Sequence, residues 1–248
     1  MTPIQTRSDF DVELQHCAGG DEDIVRAART ASGSAKQDGV EKLIKSLMLG
    51  RHGSTFEHNY MKFRITAPLF LWREWHRHRI GFSYNEESGR YKQLDPVFYI
   101  PGKERLLKCI KPANFKPMRP GFSQFSAIPA DQVPNYYNRL VLSYTIAYKA
   151  YTDALEAGMD NGLARITLPV ATYSTCIVTC NLRSALSFLS LRRDYSADES
   201  LTHLGFTPRD PSYPQWEMDQ LARQFEAKVS AQFPIAYTAF LECGMRAP

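Results

Sequence analysis

Between His58 and Ala67 the chain alternates strictly. Met61, Phe63, Ile65 and Ala67 fall on one side and Lys62, Arg64 and Thr66 on the other. Side chains of a strand point to opposite faces in turn, so this period of two predicts a half-buried strand. Such a strand needs hydrogen-bonded neighbours and something apolar against one face. Val170–Cys180, rich in Thr, Val, Ile and Tyr, is a second strand. Around these the period changes to that of a helix. Asp21–Ala31 reads as one. A second carries Val40, Leu43, Ile44, Leu47 and Met48, opens on an Asp38/Glu41 capping box, and ends at Gly50 and Gly53.

Pro68 suits a first helical turn, and LFLWREWHRHR extends that helix to Arg79, before Gly81. Phe82–Tyr91 reads as a polar loop. Residues 92–134 hold seven prolines and few periodic runs, which predicts an irregular excursion. Asn135–Ala157 is a helix with the stripe Tyr136, Leu140, Tyr144, Ala147, Tyr151 and Leu155. Leu182–Arg193 is a short helix, Tyr195–Tyr213 a loop, and Pro214–Phe233 and Pro234–Cys243 close the chain as helices. Helices and strands mix without βαβ regularity. The expectation is a single-domain α+β fold, with a mostly antiparallel central sheet packed by helices.

Length fits this: 248 residues make one large domain or two small ones. The apolar share of 44% and charged share of 23% exclude disorder and coiled coil. No apolar run nears the ~20 residues that span a bilayer. Met1–Phe10 has no apolar core, so neither a signal nor a transit peptide is expected, and the location is read as cytoplasmic with no membrane partner. The five cysteines (Cys17, Cys109, Cys176, Cys180, Cys243) are odd in number and irregularly spaced, which argues against a disulfide framework. A net charge of +4 is too small to argue for nucleic acid.

Trp72–Tyr91, WREWHRHRIGFSYNEESGRY, is the densest chemical feature. Its arginines and histidines suit a helix C-terminus, where the macrodipole favours cations. The loop after them does not follow from that. Ser88-Gly89-Arg90 offers backbone amides, a hydroxyl and a guanidinium, the parts of a phosphate cradle. Arg183 and Arg192 lie nine residues apart on one helix. At about 100° per residue they point to opposite sides. A metal site is not expected, because His76 and His78 sit among arginines that repel a cation. The alternative to catalysis is a basic, aromatic RNA- or nucleotide-binding module, with Tyr and Phe stacking bases.

Arg77-His78-Arg79 followed by Ser83–Tyr91 resembles the signature of the flavin-dependent thymidylate synthases. Further blocks resemble the family in order: His52–His58, Ala164–Pro169, Asn181–Ser184, Phe188–Arg192 and Gln215–Glu217. The resemblance spans roughly residues 25–241 and implies a homotetramer that methylates dUMP to dTMP. It implies FAD as cofactor, 5,10-methylenetetrahydrofolate as carbon donor and NADPH as reductant. It places His52, Ser54, Arg77, His78, Arg79, Glu86, Asn181, Arg183, Ser187 and Leu191 at flavin positions. Glu74, Arg77, Glu86, Glu87, Ser88, Gly89, Arg90 and Arg165 match positions around dUMP, and Arg192 matches the catalytic arginine that activates the uracil ring. Three departures stand out. One extra residue, read as Gly81, separates Arg79 from Ser88; residues 195–211 look inserted; and Tyr213 stands where the family often has histidine. No cysteine follows a proline or joins the Arg/Ser cluster, and no histidine lies near Ser88 in sequence. No covalent bond between protein and pyrimidine is therefore expected.

Overall fold

The structure, a computed structural model, describes residues 3–33, 39–108 and 130–248. In chain order its elements are β1 (Gln5–Arg7), β2 (Asp11–Ala18), α1 (Asp21–Ser32), α2 (Val40–Leu49), β3 (Tyr60–Pro68), α3 (Leu69–Trp75), β4 (Phe82–Glu86), β5 (Val97–Tyr99), α4 (Lys103–Lys108), α5 (Val133–Glu156), α6 (Asn161–Ala164), β6 (Tyr173–Cys180), α7 (Leu182–Arg192), α8 (Glu199–His203), α9 (Trp216–Gln232) and α10 (Pro234–Glu242). The fold is α+β, as expected. The chain divides into two compact units, one of residues 1–9, 68–70 and 88–174, the other of residues 10–67, 71–87 and 175–248.

The larger unit carries a four-stranded sheet in the order β2-β3-β6-β4. β2 runs antiparallel to β3, and β4 antiparallel to β6. The alternation of β3 is realised: Met61, Phe63, Ile65 and Ala67 are fully buried. Phe63 and Trp75 both meet Phe225 of α9, with ring centroids 4.7 and 5.3 Å apart, and Trp75 meets Phe188 of α7 at 4.1 Å. Each such pair contributes about 0.5–1.5 kcal/mol beyond its buried area. Helices α7 and α9 pack together, α9 also covers β2, and α10 packs on α2.

In the smaller unit β1 pairs parallel with β5. Three tyrosines of α5 hold the chain leading into and along β5. The Tyr144 hydroxyl donates to the Tyr99 carbonyl at 3.0 Å, Tyr148 to that of Leu94 at 3.3 Å, and Tyr151 accepts from the Leu94 amide at 3.0 Å. The buried stripe of α5 is therefore Val133, Tyr144, Tyr148 and Tyr151, whereas Tyr136 is exposed.

Several expectations are corrected. Pro68 ends β3 rather than opening a helix, and α3 stops at Trp75. Arg77, His78 and Arg79 thus lie beyond the helix, in an irregular turn closed by Gly81 at φ +69°. Phe82–Glu86 is an edge strand, not a loop. Within 92–134 the described residues include β5, α4 and the start of α5, and within 195–213 they include α8. The strands β1 and β2 had no reading from sequence. Asp38 of the proposed capping box, Cys109 and most of the proline-rich stretch lie outside the described residues. Among the described residues no helix is long and apolar enough to cross a membrane.

Candidate functional site

A cavity of about 780 Å³ opens in the larger unit, within the range of small-molecule and cofactor pockets. The turn 77–82, the start of α7 and the segment around Arg51–Glu57 wall it, together with Ala247 and Pro248. Its lining sets Arg51, Arg77, Arg79 and Arg183 against one acidic side chain, Glu57, so its side-chain charge is positive. Among the described residues Arg183 is the one of the four whose guanidinium the protein holds: Nη1 donates to Glu57, and Nε to the main-chain oxygen of Pro248 at 3.1 Å.

Two glycines permit this wall. A Cβ on Gly53 would run into Arg183 Nε and Cζ, so a larger residue there would push the guanidinium aside. Gly81 combines its positive φ with a similar restriction, since a Cβ there would strike Ser184 Oγ and come within 2.9 Å of Asn181 Nδ2. Asn181 caps α7 by accepting from the Ser184 amide at 2.9 Å, and Ser184 Oγ donates to the Ile80 carbonyl at 2.8 Å. The residue that sequence spacing marked as extra is thus the one on which the turn closes.

His78 lies half-buried against Phe188, 5.0 Å between ring centroids. Burial first, and the Arg192 charge second, push its pKa down to about 4, so the imidazole is neutral near pH 7. Its Nε2 is buried with no hydrogen-bond partner among the described residues, and so is Nε of Arg192. Burial raises the pKa of Glu74; Arg192 pulls it down and the buried Glu217 pushes it up again. Glu74, His78 and Arg192 therefore share one electrostatic environment in this unit.

Of the ten residues expected at a flavin, the cavity gathers Arg77, His78, Arg79, Asn181, Arg183 and Ser187. His52, Ser54, Glu86 and Leu191 are not in its lining; Leu191 is 51% exposed. Glu74, Glu87 and Arg192 belong to the same unit. Arg51 and Glu57 were missed. Arg51 takes a left-handed φ of 55°, which sequence does not signal, and Glu57 lies in a block noted only for resemblance.

Ser88, Gly89, Arg90 and Arg165 come together in the smaller unit. Gly89 is buried, and a Cβ on it would lie 2.9 Å from Leu94 Cδ1 and 3.2 Å from Arg165 Cδ. The Arg90 amide donates to Ser88 Oγ at 3.3 Å, Asn161 Nδ2 to the Arg90 carbonyl at 3.4 Å, and Arg165 Nε to the Gly162 carbonyl at 3.4 Å. No carboxylate pairs with the Arg90 or Arg165 guanidinium in these contacts. The arrangement suits a small anion. Among the described residues there is no cluster able to hold a metal ion. The described cysteines are poor nucleophiles: burial pushes the Cys176 thiol up to about 12, raises Cys180 further, and also raises Cys17 and Cys243.

Residues 14–235 match the family model described as thymidylate synthase complementing protein, a span that runs through both units. A flavin-dependent thymidylate synthase of Streptomyces avermitilis is 39% identical over 98% of this chain and 95% of its own, and one of Tropheryma whipplei is 40% identical over 97% and 96%. Among solved structures, a UMP/dUMP methylase of Streptomyces cacaoi bound with 5-Br dUMP superposes with a TM-score of 0.84 at 33% identity, covering 99% of this chain and 100% of that one. The same methylase bound with 5-Br UMP gives 0.83 at 34%, covering 99% of both chains. With the whole length matched at such identity, the chain belongs to the flavin-dependent thymidylate synthase family.

Proposed function

We infer that this chain catalyses the reductive methylation of dUMP to dTMP, with FAD as cofactor, 5,10-methylenetetrahydrofolate as carbon donor and NADPH as reductant. The observation that carries the reading most is the cationic cavity with its buried, unpartnered His78 Nε2. Such a wall suits a dinucleotide: guanidinium groups for a pyrophosphate, and an orphaned ring nitrogen awaiting a hydrogen bond. The chemistry supplied by bound FAD is two-electron redox between NADPH and the pyrimidine.

The chain's own residues bind and orient. Arg77, Arg79 and Arg183 hold the cofactor's anionic part, His78 offers a neutral imidazole, and Asn181 and Ser187 line the same wall; His52, Ser54, Glu86 and Leu191 are assigned to it by family position. Ser88, Gly89, Arg90 and Arg165 take the nucleotide phosphate. Arg192 meets the uracil ring, where a fixed guanidinium stabilises negative charge as it develops. Glu74, Glu86 and Glu87 complete the polar surroundings of the nucleotide. No covalent bond joins protein to pyrimidine. The working form is a cytoplasmic homotetramer with sites shared between subunits, and nucleic acid is not a partner.

The test is the absorbance spectrum of the purified protein, alone, after NADPH, and then with dUMP and the folate while dTMP is measured. A yellow protein bleached by NADPH and forming dTMP supports the reading. A colourless protein that binds single strands in a salt-sensitive way overturns it. UMP belongs in the same assay, because the Streptomyces cacaoi relative is described as acting on both nucleotides.

A further inference from the structure

Arg192 and Arg193 are neighbours with opposite surroundings. Among the described residues the one side-chain hydrogen bond of Arg192 runs from Nη1 to the Leu191 carbonyl at 3.4 Å, and its buried Nε has no partner. No carboxylate grips it, so its aim depends on where the end of α7 is held. Arg193 is only 2% exposed, and three carboxylates surround it. Nε donates to Glu226 at 2.8 Å, Nη1 to Asp219 at 3.0 Å, and Nη2 to Asp198. Burial works against the Arg193 charge, but these three anions outweigh it and raise its pKa.

The segment that looked inserted, 195–211, supplies Asp198 to this grip, and the residues flanking it, Asp194 and Ser212, add contacts at its two ends. Asp198 caps α8, bonds Arg193, and accepts from Arg223 of α9 at 3.2 Å. The Asp194 amide donates to Asp219 at 2.8 Å. At the far end Ser212 Oγ donates to the Leu191 carbonyl at 2.6 Å, the same oxygen that Arg192 touches. Burial tends to raise the Asp198 carboxyl, but Ser200 and then Arg193 hold it down at about 2, so Asp198 is ionised near pH 7.

We propose that residues 194–212 brace the end of α7 and fix the aim of Arg192, with Arg193, Asp198 and Ser212 as positioning residues. This rests on the assignment of Arg192 to the uracil ring. A double-mutant cycle on the FAD-loaded protein tests it, with dUMP affinity read by calorimetry and turnover measured alongside. Asp198→Asn and Ser212→Ala should each weaken dUMP roughly three- to tenfold in the parent, the scale of coupling between residues in one network. In an Arg192→Ala background neither should matter further. Equal losses in both backgrounds, or no loss in the parent, would overturn the brace. Parental affinity and turnover in Arg192→Ala alone would instead remove the ring assignment beneath it. Ser212 is only half-buried and Ser212→Ala removes a single oxygen, so its variant keeps the test alive if Asp198→Asn does not fold.

Discussion

The molecule holds two sets of arginines that differ in what neutralises them. Around Arg193 the protein supplies the anions itself: Asp198, Asp219 and Glu226 against Arg193 and Arg223. Around the cavity of the larger unit, Arg51, Arg77, Arg79 and Arg183 face one carboxylate, Glu57. Burying Arg193 costs desolvation, whereas the four cavity arginines are exposed. The first offsets it internally and so serves rigidity. The second leaves charge that an anionic ligand can satisfy. A surplus of unpaired cations around a cavity thus marks recognition, while a fully paired buried cation marks architecture.

The contrast can be broken most forcefully at Arg193. Arg193→Met would take the central cation from two buried carboxylates, Asp219 and Glu226, and from the half-buried Asp198, and unfolding titrations should report a loss of about 3–5 kcal/mol. Arg192→Ala should leave that stability nearly intact while single-turnover dTMP formation falls by about 10²–10³-fold. Arg192→Lys should also fail, since a point charge cannot reproduce the fork. In the smaller unit, Arg90→Ala should cost about 1.5–3 kcal/mol of dUMP affinity by calorimetry with FAD content unchanged; unaltered affinity would misplace the cradle. Arg79→Ala should do the reverse, releasing flavin during gel filtration with dUMP binding to reloaded protein retained.

A smaller effect comes from protons. The folded His78 imidazole resists protonation down to about pH 4, while the unfolded one takes a proton below about 6.5. The unfolded state therefore binds more protons between these values. Stability should fall as pH drops through that window and flatten beneath it. Melting curves of His78→Gln should lack that part of the slope. The smallest expected effect is from the thiols. Replacing each cysteine singly should leave turnover largely intact, and intact-mass measurement during turnover should find no adduct on any cysteine or on Ser88.

The sequence revealed most where local pattern and burial agree. The period of two in Met61–Ala67 and the helical run from Leu182 both carry their meaning in a few adjacent residues. It misled where tertiary contact overrides local preference. LFLWREWHRHR has the composition of a helix, yet the chain leaves it after Trp75, and its basic end walls a cavity. Ser83, Asn85 and Glu86 suggested a loop. As an edge strand, β4 buries Phe82 and Tyr84 only in part and leaves Ser83 and Asn85 in water, so its polarity is that of an edge. The Arg193 network was invisible because its partners lie as far as 33 positions away. Of the ten flavin positions the family blocks marked, six line one cavity, but nothing in those blocks gave the electrostatics that make His78 neutral.

The central pairing of the sheet also shapes how the protein is made. Thr66 of β3 bonds Thr175 of β6 through their hydroxyls at 2.9 Å, across 109 positions of chain. During synthesis β3 can meet β2 early, but its other edge must wait until that intervening chain has left the ribosome. Until then the row Met61, Phe63 and Ile65, wholly buried at the end, has only part of its cover. Long-range pairing of this kind slows folding and exposes sticky surface meanwhile. A nascent chain stalled before residue 175 should therefore be held by chaperones or aggregate, and release should follow once β6 and the α9 that packs on Phe63 have emerged.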